Sequence, residues 1–232
     1  MLEKYMITHH LSSLGRHDLT RGGSRRSSLA KIRKNFEIAK ADDLSYLKSL
    51  KSLISLAFLL FLISAITGFF SANLQTELHE KTIAGMEELA KIISDFSDYK
   101  LLFLIFLNNG SKIIGAALLG TFFGFVPIIF LSINGFLLGL VAQTIEESNG
   151  WLTFWAGISP HGIFEIPLLI IGGAVGLKLG NVFWDSLKKK DFQLLKTEFI
   201  RAFGFSLRFL LPIIFFTAFV EVFITQNLFE LF

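Results

Sequence analysis

Cysteine is absent from all 232 residues, so the chain has no disulfide, no thiol nucleophile and no cysteine-held zinc. Its composition therefore carries no trace of a redox compartment. Proline occurs only four times, and charged residues make up 18% of the chain against 52% hydrophobic, with 27 Phe. The mean hydropathy of +0.59 and long, unbroken apolar runs exclude an ordinary globular core. Enzymatic signatures are missing too: there is no His-Glu-x-x-His, no Gly-x-Ser-x-Gly and no Gly-x-x-x-x-Gly-Lys-Ser/Thr. No internal repeat is visible. The expectation is a non-enzymatic, all-α polytopic membrane protein with no cofactor and no nucleic-acid partner.

Residues 1–28 are rich in Arg, Ser and Gly without an apolar core, which predicts a disordered basic tail rather than a signal peptide. His9, His10 and His17 lie in it and are expected to be solvated. From 29 to 232 the chain reads as one membrane domain. Leu29, Ile32, Phe36, Leu44, Leu47 and Leu50 recur at helical spacing among lysines, which predicts an amphipathic surface helix over 29–50. Apolar stretches of spanning length follow at about 52–72, 101–122, 126–145, 151–179 and 202–228. An acidic loop, 73–99, carries a short amphipathic helical pattern, and Gly120, Gly124 and Pro127 mark the turn between the second and third spans. Lys188, Lys189, Lys190, Lys196 and Arg201 fall in the 180–201 loop. The positive-inside rule puts that loop and the N-terminus in the cytoplasm, giving five spans in the cytoplasmic membrane.

Within these apolar stretches, polar residues are few and costly. His161 and Glu165 lie one turn apart in the fourth span, between Pro160 and Pro167 and beside Gly162. Each proline frees a carbonyl that needs another partner in lipid, so Pro127, Pro160, Gly162 and Pro167 are candidate backbone breaks. At 1.5 Å of rise per residue, Asn108, Asn109 and Lys112 of the second span, Asn134 of the third and Glu221 of the fifth reach a similar depth. An isolated charge there costs about 2.5–3.5 kcal/mol, so Lys112 is expected to pair with Glu165 or Glu221. The bland alternative is that these groups only hydrogen-bond neighbouring helices. A metal held by His161, Glu165 and Glu221 is the weaker alternative, with one histidine and no cysteine. Gly135/Gly139 and Gly172/Gly176/Gly180 form small-xxx-small ladders, suited to packing within one chain or to a homodimer.

Together these residues resemble a known family. Asn108-Asn109, then Gly120, Gly124 and Pro127, then Asn134-Gly135-x-x-x-Gly139, then Pro160-His161-Gly162-x-x-Glu165-x-Pro167, then Gly172-Gly173-x-x-Gly176-Leu177-x-x-Gly180, and finally Ala218-Phe219-Val220-Glu221-x-Phe223-Ile224-Thr225 are similar to the stage II sporulation protein M family over about residues 30–228. The Pro-His-Gly-x-x-Glu block is the most specific part. The resemblance implies a five-helix cytoplasmic-membrane protein with its N-terminus inside, and the positions carried over are Asn109, Pro127, Asn134, Gly135, Pro160, His161, Gly162, Glu165 and Glu221. It also implies possible protein partners, since the sporulation member works with a peptidoglycan hydrolase and a membrane anchor during engulfment. The Arg-rich tail departs from the family pattern. The leading functional expectation is a transport-type or channel component with a mid-membrane polar site; the alternative is a non-transporting scaffold that docks other membrane proteins.

Overall fold

The computed structural model describes residues 41–71, 81, 84, 85, 88, 91 and 96–225, with backbone alone at 149, 156–161, 224 and 225. The tail 1–28 and residues 29–40 of the expected surface helix lie outside the described residues, while 41–49 are helical. Lys81, Ala84, Gly85, Glu88 and Lys91, from the acidic loop, are helical as well. The chain divides into two compact units, Met1–Lys48 and Ser49–Phe232, and the second holds every span. No strand occurs among the described residues.

Five helices are long and apolar enough to cross a membrane. The first, α1, is Lys51–Ser71. The second, α2, is Asp98–Leu118, and a 3-10 turn, Leu119–Thr121, extends it. A continuous helical stretch, Phe125–Lys189, is interrupted at Gly150, whose φ of 80° and ψ of 165° are not helical. It therefore comprises two helices, α3 (125–149) and α4 (151–189). The last helix, α5, starts at Phe192, where the Asp191 carboxylate accepts from the Gln193 N–H at 2.9 Å and caps it. The helical span continues to Phe223. Two π-helical turns interrupt it, Ser206–Leu210 and Glu221–Thr225. The first lies just before Pro212, and there the Leu211 N–H reaches back to the Ser206 carbonyl. Such a wide turn re-satisfies the backbone that a proline disturbs in lipid.

Two expectations from the sequence are corrected here. The 180–201 segment is not a loop: α4 continues to Lys189, a two-residue turn follows with Lys190 in the left-handed region, and α5 begins at once. Hydropathy marks where the bilayer ends, whereas a helix continues as long as its exposed face can be solvated. Nor is the backbone broken at Pro160, Gly162 or Pro167, because α4 stays helical through all three. A proline there loses one hydrogen bond but keeps a helical φ. Pro127 sits in the first turn of α3, where its missing N–H would have no partner anyway.

The core combines large aliphatic and aromatic side chains with alanines at the close contacts. Ala57 and Phe61 of α1, Leu131 of α3, and Leu169, Ile170, Ala174 and Leu177 of α4 form one buried cluster. Of the five spans α4 is the most buried and α1 the least, and Phe58, Leu62, Ile63, Ile66 and Phe70 on α1 face outward. That distribution suits lipid, where large apolar side chains gain nothing by hiding and close packing favours small ones. The α2–α3 turn needs two left-handed residues, Phe123 at φ 59° and Gly124 at φ 76°. A bulky residue in that region costs roughly 1–2 kcal/mol. Phe123 offsets it by packing against Phe183 and Trp184 of α4, with ring centroids 4.7 and 5.1 Å away.

Candidate functional site

The register between helices follows from contacts that leave no room for side chains. A Cβ at Gly135 would overlap the Phe61 carbonyl, one at Gly139 that of Ala65, and one at Gly68 that of Phe136, so α1 and α3 run parallel at close range. Gly173 abuts Leu131, Gly176 abuts Pro127 and Gly180 abuts Gly124, making α3 and α4 antiparallel. Gly172 meets Ile113 and Gly176 meets Ala116, so α2 runs parallel to α4. Aromatic pairs set α5: Tyr99 with Phe223 (6.2 Å), Phe106 with Phe215 (5.4 Å) and Phe164 with Phe216 (6.1 Å) make it antiparallel to α2 and α4.

These pairings spread the polar residues into a ladder. Asn134 stands level with Asn109 and Gly110, near the middle of the bundle. Glu165 stands level with Phe106 and Phe215, and Glu221 level with Lys100 and Leu101, close to the backbone level of His161. Lys112 lies on the other side of the middle, level with Gly172. By helical rise, Lys112 and Glu165 are separated by about 10 Å in depth, and Lys112 and Glu221 by about 17 Å. The expected pairing of Lys112 with Glu221 is therefore geometrically excluded, and no ion pair to Lys112 occurs among the described residues. Sequence counting placed the groups at one depth because it fixed neither the start of α5 nor the offset between helices.

Each polar group has its own surroundings. The Asn134 side-chain amide donates to the Phe130 carbonyl of its own helix at 2.7 Å, which meets part of its polar demand without another helix. Asn108 is exposed and its amide donates to the Asn109 side-chain oxygen at 3.2 Å. Ser111 is exposed and its hydroxyl donates to the Asn108 carbonyl at 3.0 Å. Lys112 is exposed on the same flank of α2. Glu165 and Glu221 are half-buried, Pro167 is exposed, and the side chains of Pro160 and His161 lie outside the described residues. Among the described residues no three of His, Asp and Glu come close enough to hold a metal ion.

Two features escaped the sequence reading. Lys178 pairs with Glu198 at 2.9 Å and donates to the Ser49 hydroxyl at 3.0 Å, tying α4, α5 and the entry to α1 together at one end of the bundle. Nothing in the sequence joins residues so far apart, although a lone lysine at the end of an apolar run is a visible signal. Beside it a cleft of about 340 Å³ opens between α4 and α5, lined by Asp185, Lys189, Asp191, Thr197 and Glu198 among others. The other is Gln143, buried within α3.

A family model, Stage II sporulation protein M, matches residues 57–226, which include all of these groups except Ser49. An uncharacterized protein of Methanocaldococcus jannaschii is 30% identical over 166 residues, covering 70% of this chain and 88% of that protein. No solved structure matches. The match spans most of the chain and takes in four of the membrane-length helices and most of the first, so the chain belongs to the stage II sporulation protein M family.

Proposed function

We propose that the chain is a docking subunit of the cytoplasmic membrane, which assembles with other membrane proteins through polar groups on its flank, with no catalytic chemistry and no cofactor of its own. One observation carries this reading. Lys112 is exposed on the outside of α2, well inside a spanning helix, with no anion beside it among the described residues. Left in lipid, such a charge costs about 2.5–3.5 kcal/mol on insertion scales, so the flank calls for company. The interfaces inside the bundle support the same reading. Glycine brings α1 against α3, α3 against α4 and α4 against α2 at backbone contact, which leaves no passage along those seams.

A transport-type role is the second reading, favoured by one feature. Glu165 and Glu221 are half-buried on the neighbouring helices α4 and α5, and Glu221 opens a π-helical turn, an irregularity frequent at functional sites. One set of preparations separates the two. Native membranes extracted directly into polymer nanodiscs and weighed by native mass spectrometry should yield assemblies heavier than the 26.1 kDa chain, reduced to monomer by Lys112→Leu. A wild-type monomer overturns the docking role. Pure chain in proteoliposomes should carry no solute or ion flux; flux that Glu165→Gln or Glu221→Gln abolishes moves the assignment to transport.

A further inference from the structure

The docking reading, on which this inference rests, leaves open what covers the flank of α2. We infer that it receives a transmembrane helix of a different protein, one that carries an aspartate or glutamate at the depth of Lys112.

The face is defined by helical periodicity. Leu104, Leu107, Asn108, Ser111 and Lys112 lie on one side of α2, Leu119 opens the 3-10 turn that extends it, and all six are exposed. Gly115 lies among them, and a Cβ added there meets nothing within 4 Å, in contrast to the glycines of the internal seams. Ser111 and Gly115 thus form a small-xxx-small notch that no helix among the described residues fills, and such a notch admits a second backbone closely. Asn108 and Lys112 flank the notch with hydrogen-bonding capacity and a positive charge.

Charge decides the occupant. Headgroup phosphates are out of reach: Lys112 lies nine residues, about 14 Å, from the Thr121 end of its span and farther from the Asp98 end. Side chains on a helix lean toward its N-terminus, which carries the lysine away from the nearer surface. A second copy of this chain, inserted in the same orientation, offers no acid at this depth. Its residues level with Lys112 are Ser132, Gly172, Phe209 and Leu210, while Glu165 is about 10 Å away in depth and Glu221 about 17 Å. Two copies meeting through α2 would also set lysine against lysine. A carboxylate on another chain neutralises the charge where it lies, and the apolar positions above and below seal the contact from lipid.

The test uses the full chain in its own membranes. A photo-cross-linking residue is introduced as Leu104→p-benzoylphenylalanine, Ser111→p-benzoylphenylalanine or Leu119→p-benzoylphenylalanine, and adducts are identified by mass spectrometry. The expected adduct joins this chain to a different protein whose cross-linked span carries Asp or Glu. Lys112→Leu should lower its yield about three- to thirty-fold, the range of polar contacts in bilayers. Lys112→Arg should keep it, and Lys112→Glu should recover it when the partner's acid is changed to lysine. Helical content by circular dichroism checks that each variant folds. Adducts between two copies, adducts to lipid alone, or a yield indifferent to Lys112→Leu overturn the inference. Should native nanodiscs still show assemblies while α2 yields none of the expected adducts, the docking role survives and this inference fails; a monomer in those nanodiscs removes both.

Discussion

Each close crossing in this bundle depends on a hydrogen atom where any other residue would place a methyl. Gly139 faces the Ala65 carbonyl, and Gly176 is wedged between Ala116 and Pro127. Since the obstacle is backbone, it cannot rotate aside, and Gly139→Ala must push α1 off α3. Overpacking of this kind costs about 1–3 kcal/mol, and for a chain of this length that lowers Tm by roughly 3–10 °C. Gly115→Ala is the matched control: its methyl enters open space on the same kind of helix, and alanine is the better helix former by about 1 kcal/mol. Thermal unfolding of both variants in one detergent should show a clear loss for Gly139→Ala and none for Gly115→Ala; equal shifts would mean that the seam is loose. The i, i+4 glycines are legible in the sequence, but their partners are not. Gly139 meets α1, Gly172 meets α2, and Gly176 meets both α2 and α3. Spacing says that a helix can approach, and only the three-dimensional register says which one does.

At the scale of elements, the two turns of the central antiparallel pairs are made differently, and this sets which substitution each tolerates. Lys190 closes α4 in the ordinary left-handed region at φ 54° and ψ 32°, with its N–H returned to the Ser186 and Leu187 carbonyls. Gly150 joins α3 to α4 at φ 80° and ψ 165°, a region populated almost only by glycine. A Cβ at Gly150 meets no atom within 4 Å, so Gly150→Ala is a test of backbone strain alone. The expected loss is about 1–3 kcal/mol, or several degrees in Tm, while Lys190→Gly should be neutral or slightly stabilising because it relieves a left-handed lysine. Thermal unfolding of the pair measures the contrast, and an unshifted Gly150→Ala would show that the turn re-forms with another residue at the bend. The spans themselves were legible, since about 20 apolar residues are the physical requirement for crossing. The hairpin beyond the bilayer was not. Lys188, Lys189 and Lys196 dilute the hydropathy there, yet they are only the solvated face of helices that continue through them.

For the whole molecule the open variable is direction across the membrane, which no internal contact can fix. The fold does fix a relation: α3 and α4 are antiparallel and span-length, so Asn149 at one end and Lys190 at the other lie on opposite sides. The lysines at 188, 189, 190 and 196 and Arg201 surround the Lys190 turn, whereas Glu146 and Glu147 precede the Gly150 turn. Basic residues beside spans are retained in the cytoplasm, so the expected orientation has the Lys190 end inside and the Gly150 end outside. The absence of cysteine makes this directly measurable, because a single introduced thiol is the only one in the protein. Asn149→Cys should react with a membrane-impermeant maleimide in intact cells. Lys190→Cys should react only after the membrane is opened. Labelling of Lys190→Cys in intact cells with Asn149→Cys protected would invert the molecule, and labelling of both from outside would break the hairpin topology. The same two thiols orient the α2 flank, since α2 runs parallel to α4. With Lys190 inside, Lys112 sits in the cytoplasmic half of the bilayer, and an acid able to meet it must lie in the cytoplasmic half of the partner's span.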